Sequence, residues 1–193
     1  MYPNQRNRRL RQSPALRQLV SENQLTCNDL MLPLFIAEGT EVKDPIAAMP
    51  GCYRLSLDLL QEELKAVADL GIKAVLLFVK VDDALKDNKG TEAVNPVGLM
   101  QKAIRTVKAT TPEMVVMTDV ALDPYSSYGH DGIVEDGKIL NDPTVEVLSQ
   151  MALSHALAGA DFVAPSDMMD GRVLMIRSVL EEAGIVDTGI MSY

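Results

Sequence analysis

The sequence predicts an α/β fold in which a parallel sheet is covered by helices. Three observations point to it. Short, nearly continuous apolar runs of strand length recur along the chain, as in strands buried on both faces. Between them lie segments whose apolar residues repeat with helical spacing. Glycine and proline punctuate the junctions, so strand and helix alternate in the order that builds βαβ units.

Residues 1–24 stand outside this alternation. Arg6, Arg8, Arg9, Arg11 and Arg17 lie in a polar stretch, with one short helix predicted from Pro14 to Glu22. A solvated tail is the plain reading of such a charge run. The apolar Leu10, Leu16, Leu19 and Val20 also permit an extended N-terminal interaction arm. Residues 25–193 are expected to form the catalytic domain.

Within that domain, Leu30 to Ile36 reads as the first strand. Ser56 can cap a helix over 57–70, where Leu60, Leu64, Val67 and Ala68 share one face. Gly71 stops that helix, and Ala74 to Val81 is the next β-branched run. A polar loop over 82–95 leads to a helix opening at Pro96 and running to about Ala109. Met114 to Val120 is the third strand, and Asp136-Gly137 between short apolar flanks predicts a hairpin over 133–140. A helix from Pro143 to Ala158, a strand from Asp161 to Ala164, a helix from Met168 to Ala183 and a strand from Gly189 to Tyr193 follow. An open doubly wound sheet more often finishes with a covering helix, whereas a (β/α)8 TIM barrel needs roughly 250 residues. The expectation is therefore the front part of a TIM barrel, a truncated enzyme.

Composition narrows the function. The chain has 193 residues, 47% of them hydrophobic, and a net charge of −9, which argues against general nucleic-acid binding. Cys27 and Cys52 lie far apart without metal-ligand spacing, so free thiols in a reducing compartment are expected. No apolar run reaches the length of a membrane span, and the basic, polar start has no signal-peptide core. A cytoplasmic protein is expected.

The chemistry concentrates between Asp119 and Gly132, just beyond the third strand. Asp119, Asp123 and Asp131 accompany Tyr125, Ser127 and His130 there. Asp119 and Asp123 would share one face of a regular strand. Three clustered carboxylates repel one another unless a cation, a substrate ammonium or a raised pKa relieves them. The competing reading is that these acids cap turns and face water. Ser166 ends the fourth strand, where a hydroxyl can bond a substrate or cap a helix. Asp167 and Asp170 fit the first turn of the next helix. His155 falls on the Leu148, Met151, Ala152 stripe and reads as a hydrogen-bonded core histidine.

These strings resemble the porphobilinogen synthase (5-aminolevulinate dehydratase) family. The resemblance rests on Asp119 to Gly132, on Ala160 to Arg172 and on Ile190 to Tyr193, and runs from about Arg8 to the last residue. Zinc-dependent members carry three cysteines in the first string. This chain has Ala121, Asp123 and Asp131 at those places, the pattern of the aspartate-rich, magnesium-responsive branch.

The resemblance implies asymmetric condensation of two 5-aminolevulinate molecules into porphobilinogen, with loss of two waters, in tetrapyrrole and heme biosynthesis. It implies Asp119 near a substrate amino group as a catalytic residue, with Ser166 and Tyr193 binding substrate. It further implies an active-site loop of Asp123, Tyr125, Ser127, His130 and Asp131, with Asp123 and Asp131 as candidate metal ligands. Hard carboxylate oxygens suit Mg²⁺ rather than zinc. The main, allosteric Mg²⁺ site and both Schiff-base lysines are implied downstream of Tyr193, so residues 1–193 alone are expected to be inactive. The family's arm embraces a neighbouring subunit, which implies a homo-octamer. Two other classes stand beside this reading: a different Schiff-base or metal-dependent barrel lyase or aldolase, and a non-catalytic oligomerising fragment.

Overall fold

The computed structural model describes residues 1–193 except Tyr2, His130 and Asp131. Helix α1, Pro14–Leu19, is capped by the Ser13 hydroxyl, which accepts from the Leu16 N–H at 3.2 Å. It ends earlier than the predicted Glu22, and none of the described residues among 1–24 is buried.

Strand β1, Met31–Ala37, leads to two short strands absent from the sequence reading, β2 (Lys43–Pro45) and β3 (Tyr53–Leu55). They pair antiparallel and extend the sheet beyond β1. Helix α2, Leu57–Asp69, begins after Ser56 as expected, but not for the expected reason. The Ser56 hydroxyl makes no capping bond and instead accepts from the Val42 N–H at 2.9 Å. Strand β4 (Ala74–Lys80), helix α3 (Leu99–Thr110) and strand β5 (Val115–Val120) follow. The residues before α3 form a 3-10 turn, Thr91–Val94, so that helix starts three residues beyond Pro96.

The hairpin is present as strands β6 (Ile133–Glu135) and β7 (Lys138–Leu140). Asp136 and Gly137 both have positive φ, 49° and 73°, the conformation of a type I′ turn. Helix α4, Asn141–Ala158, ends at Gly159 with φ 110°, and strand β8 is Phe162–Pro165. Helix α5 is Arg172–Glu182, shorter at its start than predicted, and strand β9 is Gly189–Ile190.

The sheet order is β2-β3-β1-β4-β5-β8-β9, so β1, β4, β5, β8 and β9 lie side by side in chain order, all parallel. That progression is the one a barrel requires; a doubly wound sheet reverses direction at a switch point.

Alternation separates the two faces of this sheet. Leu34, Ile36, Val75, Leu77 and Val116 point to the helices and pack with Leu60, Leu64, Val67, Ile104 and Val107. A second cluster joins Val120 and Val163 to Leu148, Met151, Ile176 and Leu180. Burying each such side chain contributes about 1.5–3 kcal/mol. The opposite face carries Phe35, Phe78, Met117, Asp119 and Phe162. Phe35 and Phe78 sit in register across β1 and β4 and stack at 5.3 Å, 21° between planes. Gly189 leaves room on this face for the Phe162 ring, which a Cβ there would strike.

Among the described residues, no helix is long and apolar enough to cross a membrane.

Candidate active site

The chemistry-bearing residues gather at the carboxyl ends of the parallel strands. Asp119 is the penultimate residue of β5 and is paired in register with Ala164 of β8. Because Thr118 faces α4, where its hydroxyl lies 3.0 Å from Nδ1 of buried His155, Asp119 must project from the other face. Ser166 continues β8, its N–H donating to the Val120 carbonyl at 3.1 Å. The two strand ends are thereby locked side by side.

Tyr193 closes this group. Its hydroxyl donates to Asp119 Oδ1 at 2.8 Å, while Asp119 is only 7% exposed. Partial burial raises the Tyr193 pKa above the ordinary tyrosine value, and the Asp119 carboxylate adds to the rise. The Ser166 hydroxyl is close enough to act on the same phenol, in the opposite sense. Asp119, Ser166 and Tyr193 are therefore brought together at the strand ends.

The loop after β5 is less compact than expected. The backbone leaves the strand at Val120 and turns at once, with the Tyr125 N–H donating to the Leu122 carbonyl at 2.9 Å. Asp123 consequently does not share a strand face with Asp119, since the strand does not extend that far. It is exposed and lines a neighbouring cavity beside Phe78 and Lys80.

Tyr125 is buried, 2% exposed, and its hydroxyl has no hydrogen-bond partner among the described residues. Burial pushes its pKa upward, and the charges of Asp119, Glu92 and Asp123 act in the same direction. Ser127 is exposed; its N–H donates to the Asp87 carbonyl at 3.1 Å, and its side chain does not join the Asp119 group. His130 and Asp131 lie outside the described residues.

Asp167 is not the helix cap the sequence suggested, because α5 begins only at Arg172. Its Oδ1 accepts from the Met169 N–H at 2.8 Å, and its Oδ2 lies 3.2 Å from Arg172 Nε. Asp170 is held instead by Asn141, whose Oδ1 accepts from the Asp170 N–H at 2.7 Å. His155 behaves as read, fully buried, with its pKa lowered to about 3 by burial.

Sequence reasoning missed how the loops brace one another. Asp87 and Tyr125 join the loops after β4 and β5 through the Asp87 N–H and the Tyr125 carbonyl, 3.1 Å apart. Asn88 pairs twice with Val134, at 2.8 and 3.0 Å, and pins the hairpin to the same loop. Asn88 carried no periodic or motif signal. Only the turn-forming run Asp87-Asn88-Lys89-Gly90 hinted at an ordered loop.

Among the described residues, no group of three His, Cys, Asp or Glu side chains is placed to hold a metal ion. Asp123 shares its cavity with Arg54, Lys80 and Lys86, an environment that disfavours a second cation there. Asp131, the other candidate ligand, lies outside the described residues.

The family model for delta-aminolevulinic acid dehydratase matches residues 4–193. The chloroplastic delta-aminolevulinic acid dehydratase of Selaginella martensii is 56% identical over 191 residues, covering 97% of this chain and 45% of that protein. The enzyme of Bradyrhizobium diazoefficiens is 48% identical over 188 residues, covering 97% of this chain and 53% of its own length. The crystal structure of the Toxoplasma gondii ME49 delta-aminolevulinic acid dehydratase (porphobilinogen synthase), in complex with the reaction product porphobilinogen, superimposes with a TM-score of 0.94 at 49% identity. That alignment covers 98% of this chain and 54% of the other. The sheet described above is thus the front part of a TIM barrel, and the chain spans about half the length of the relatives it matches. With the match running through the arm, the strands and the Asp119–Tyr193 site alike, the chain belongs to the delta-aminolevulinic acid dehydratase family.

Proposed function

We propose that the whole protein is a porphobilinogen synthase, condensing two 5-aminolevulinate molecules with loss of two waters, and that this chain supplies one wall of its pocket. The observation that carries the reading is the Tyr193–Asp119 hydrogen bond at 2.8 Å, beside Ser166, at the mouth of a parallel sheet that matches the family throughout.

The wall has a chemical logic. Asp119 presents a largely buried carboxylate, which attracts an ammonium more strongly than an exposed one does. It also lies where a carboxylate can relay a proton to or from a substrate group within hydrogen-bond reach. Tyr193 holds one of its oxygens, so the carboxylate is fixed before substrate arrives. With its phenol kept neutral by burial and by Asp119, Tyr193 acts as a donor rather than as a phenolate. Ser166 offers a hydroxyl from the adjoining strand end. Tyr125 and Asp123 complete the rim, the first from within the loop and the second from its exposed side.

Magnesium is the cation we assign to the whole protein, with its main site outside this chain. Carboxylates stand where zinc-using relatives have thiolates, and carboxylate oxygen suits a hard cation. No step is routed through a metal at Asp123. The exposed arm, with Leu10, Leu19 and Val20 at 52%, 81% and 46% exposure, supports assembly into a homo-oligomer, an octamer in the family resemblance. A cytoplasmic location fits the bacterial relative; the chloroplastic relatives mark a plastid as the other possibility.

The test is colorimetric: the whole protein incubated with 5-aminolevulinate should form porphobilinogen, and Asp119→Asn should abolish it without unfolding the protein. Absence of product from the intact, folded protein with magnesium present would refute the assignment.

A further inference from the structure

At the carboxyl ends of β1 and β4 lies a cavity of about 360 Å3, lined by Phe35, Phe78, Arg54, Lys80, Lys86 and Asp123 among others. Its apolar part includes the stacked Phe35 and Phe78 rings. Its charged part is three cations and one carboxylate. Two of the cations are already matched: Arg54 Nη1 lies 3.1 Å from Asp44 Oδ2, and Lys86 Nζ lies 2.8 Å from Asp83 Oδ1. Lys80 acts on Asp83 only through space and has no hydrogen bond or ion pair among the described residues.

Strand geometry explains the placement. Lys80 follows Phe78 by two residues at the carboxyl end of β4, so both project from the same face of the sheet. The result is an ammonium with no ion pair among the described residues, beside an aromatic floor, although Glu38, Asp82 and Asp83 share a second lining with Lys80 on its other side. A complementary ligand would carry an oxyanion for Lys80 and a short carbon chain over the rings.

We infer that Lys80, over the Phe35–Phe78 floor, forms an outer subsite for the carboxylate of a short oxo acid or amino oxo acid entering the mouth of the sheet. Only the ligand's identity rests on the proposed function; the subsite itself is open to a binding measurement on this chain. Its role is to capture and orient the carboxylate before the reacting groups are reached. Phosphate shares the oxyanion chemistry and is the rival occupant.

The experiment titrates the full chain with levulinate, and separately with inorganic phosphate, following backbone amide resonances of Phe78, Lys80 and Asp123. Levulinate should give saturable shifts at these residues. Lys80→Gln should weaken its binding about fivefold, equivalent to about 1 kcal/mol, while Lys80→Arg retains it. Equal levulinate affinity in Lys80→Gln and the native chain overturns the inference. So do Lys80-dependent shifts seen with phosphate alone. A protein that makes no porphobilinogen yet shows the Lys80-dependent levulinate shifts would refute the proposed function and leave the subsite standing. An active protein whose levulinate binding ignores Lys80 would do the reverse.

Discussion

The Tyr193 hydroxyl donates to Asp119 Oδ1 at 2.8 Å, joining residues that are 74 positions apart in the chain. The bond fixes a carboxylate at the end of β5 by a side chain that follows β9, across the intervening end of β8. Tyr193 is 56% exposed and Asp119 only 7%, so the buried partner is the one being held.

That arrangement has a spectroscopic consequence. Tyr125 and Tyr193 both have pKa values raised above the ordinary 10.0, chiefly by burial. Stability contributed by their neutral phenols is present below pH 10 and is lost only as the pH climbs above it. In an absorbance titration of phenolate formation, Tyr125 and Tyr193 should ionise late among the described tyrosines. Tyr193→Phe should remove one late tyrosine and leave the other, whereas two late tyrosines in that variant would contradict the placement.

His155 should govern acid sensitivity. Its pKa is lowered to about 3 because the ring is fully buried, so the folded protein resists protonating it while the unfolded chain accepts the proton near pH 6.5. Stability should therefore fall as the pH drops below 6.5 and continue to fall toward the folded value. Denaturant midpoints between pH 6.5 and 4.5, above most carboxylate titration, isolate this effect. His155→Leu should flatten that dependence; an unchanged slope would contradict it.

Asp161 is expected to be a stability residue rather than a site residue. One oxygen accepts from Lys108 Nζ at 2.6 Å and from the Val116 N–H at 2.7 Å, tying α3 to the start of β5 and β8. Asp161→Ala leaves the Val116 donor without its partner and should cost about 1–3 kcal/mol in denaturant unfolding. A loss below a few tenths of a kcal/mol would show that water replaces the bond freely.

Asn88 should control the hairpin. Its amide pairs with both backbone groups of Val134, at 2.8 and 3.0 Å. Asn88→Ala should accelerate hydrogen exchange at Val134 and its neighbours in β6 while leaving the β5 amides protected. Uniform acceleration through the sheet would mean that the hairpin and the sheet open together.

Much of this architecture is legible in the sequence, and the gaps have physical causes. The runs at Ala74, Met114 and Asp161 predict strands within about one residue, because burial on both faces leaves an unmistakable apolar signal. Asp136-Gly137 predicts its turn, since both positions require positive φ. Strands β2 and β3 escaped notice because each spans three residues at the sheet edge, with Asp44 and Arg54 held partly by their own ion pair.

The site divides in the same way. Asp119, Ser166 and Tyr193 come together because strand ends in a parallel sheet converge by topology, which sequence order conveys. Asp123 departs because β5 ends at Val120, as its apolar run predicts, and the chain turns at once, so the strand face that Asp119 occupies does not continue to Asp123. The Lys80 cavity was passed over because its partners come from separate elements, and a lysine at the end of a strand ordinarily faces water.

The aspartate-rich loop makes a further demand on the whole protein. On the proposed magnesium assignment, activity should survive a zinc-selective chelator and rise with added magnesium. Inactivation by that chelator, reversed by zinc alone, would contradict the metal assignment.

The most direct test of the central claim is the rate of porphobilinogen formation from 5-aminolevulinate by the whole protein, with Asp119 native or replaced by Asn. The buried carboxylate beside Tyr193 predicts a fall of about 100-fold or more, the range for losing a proton-transferring group. A rate within about twofold of the native one would show that the reaction does not depend on this carboxylate.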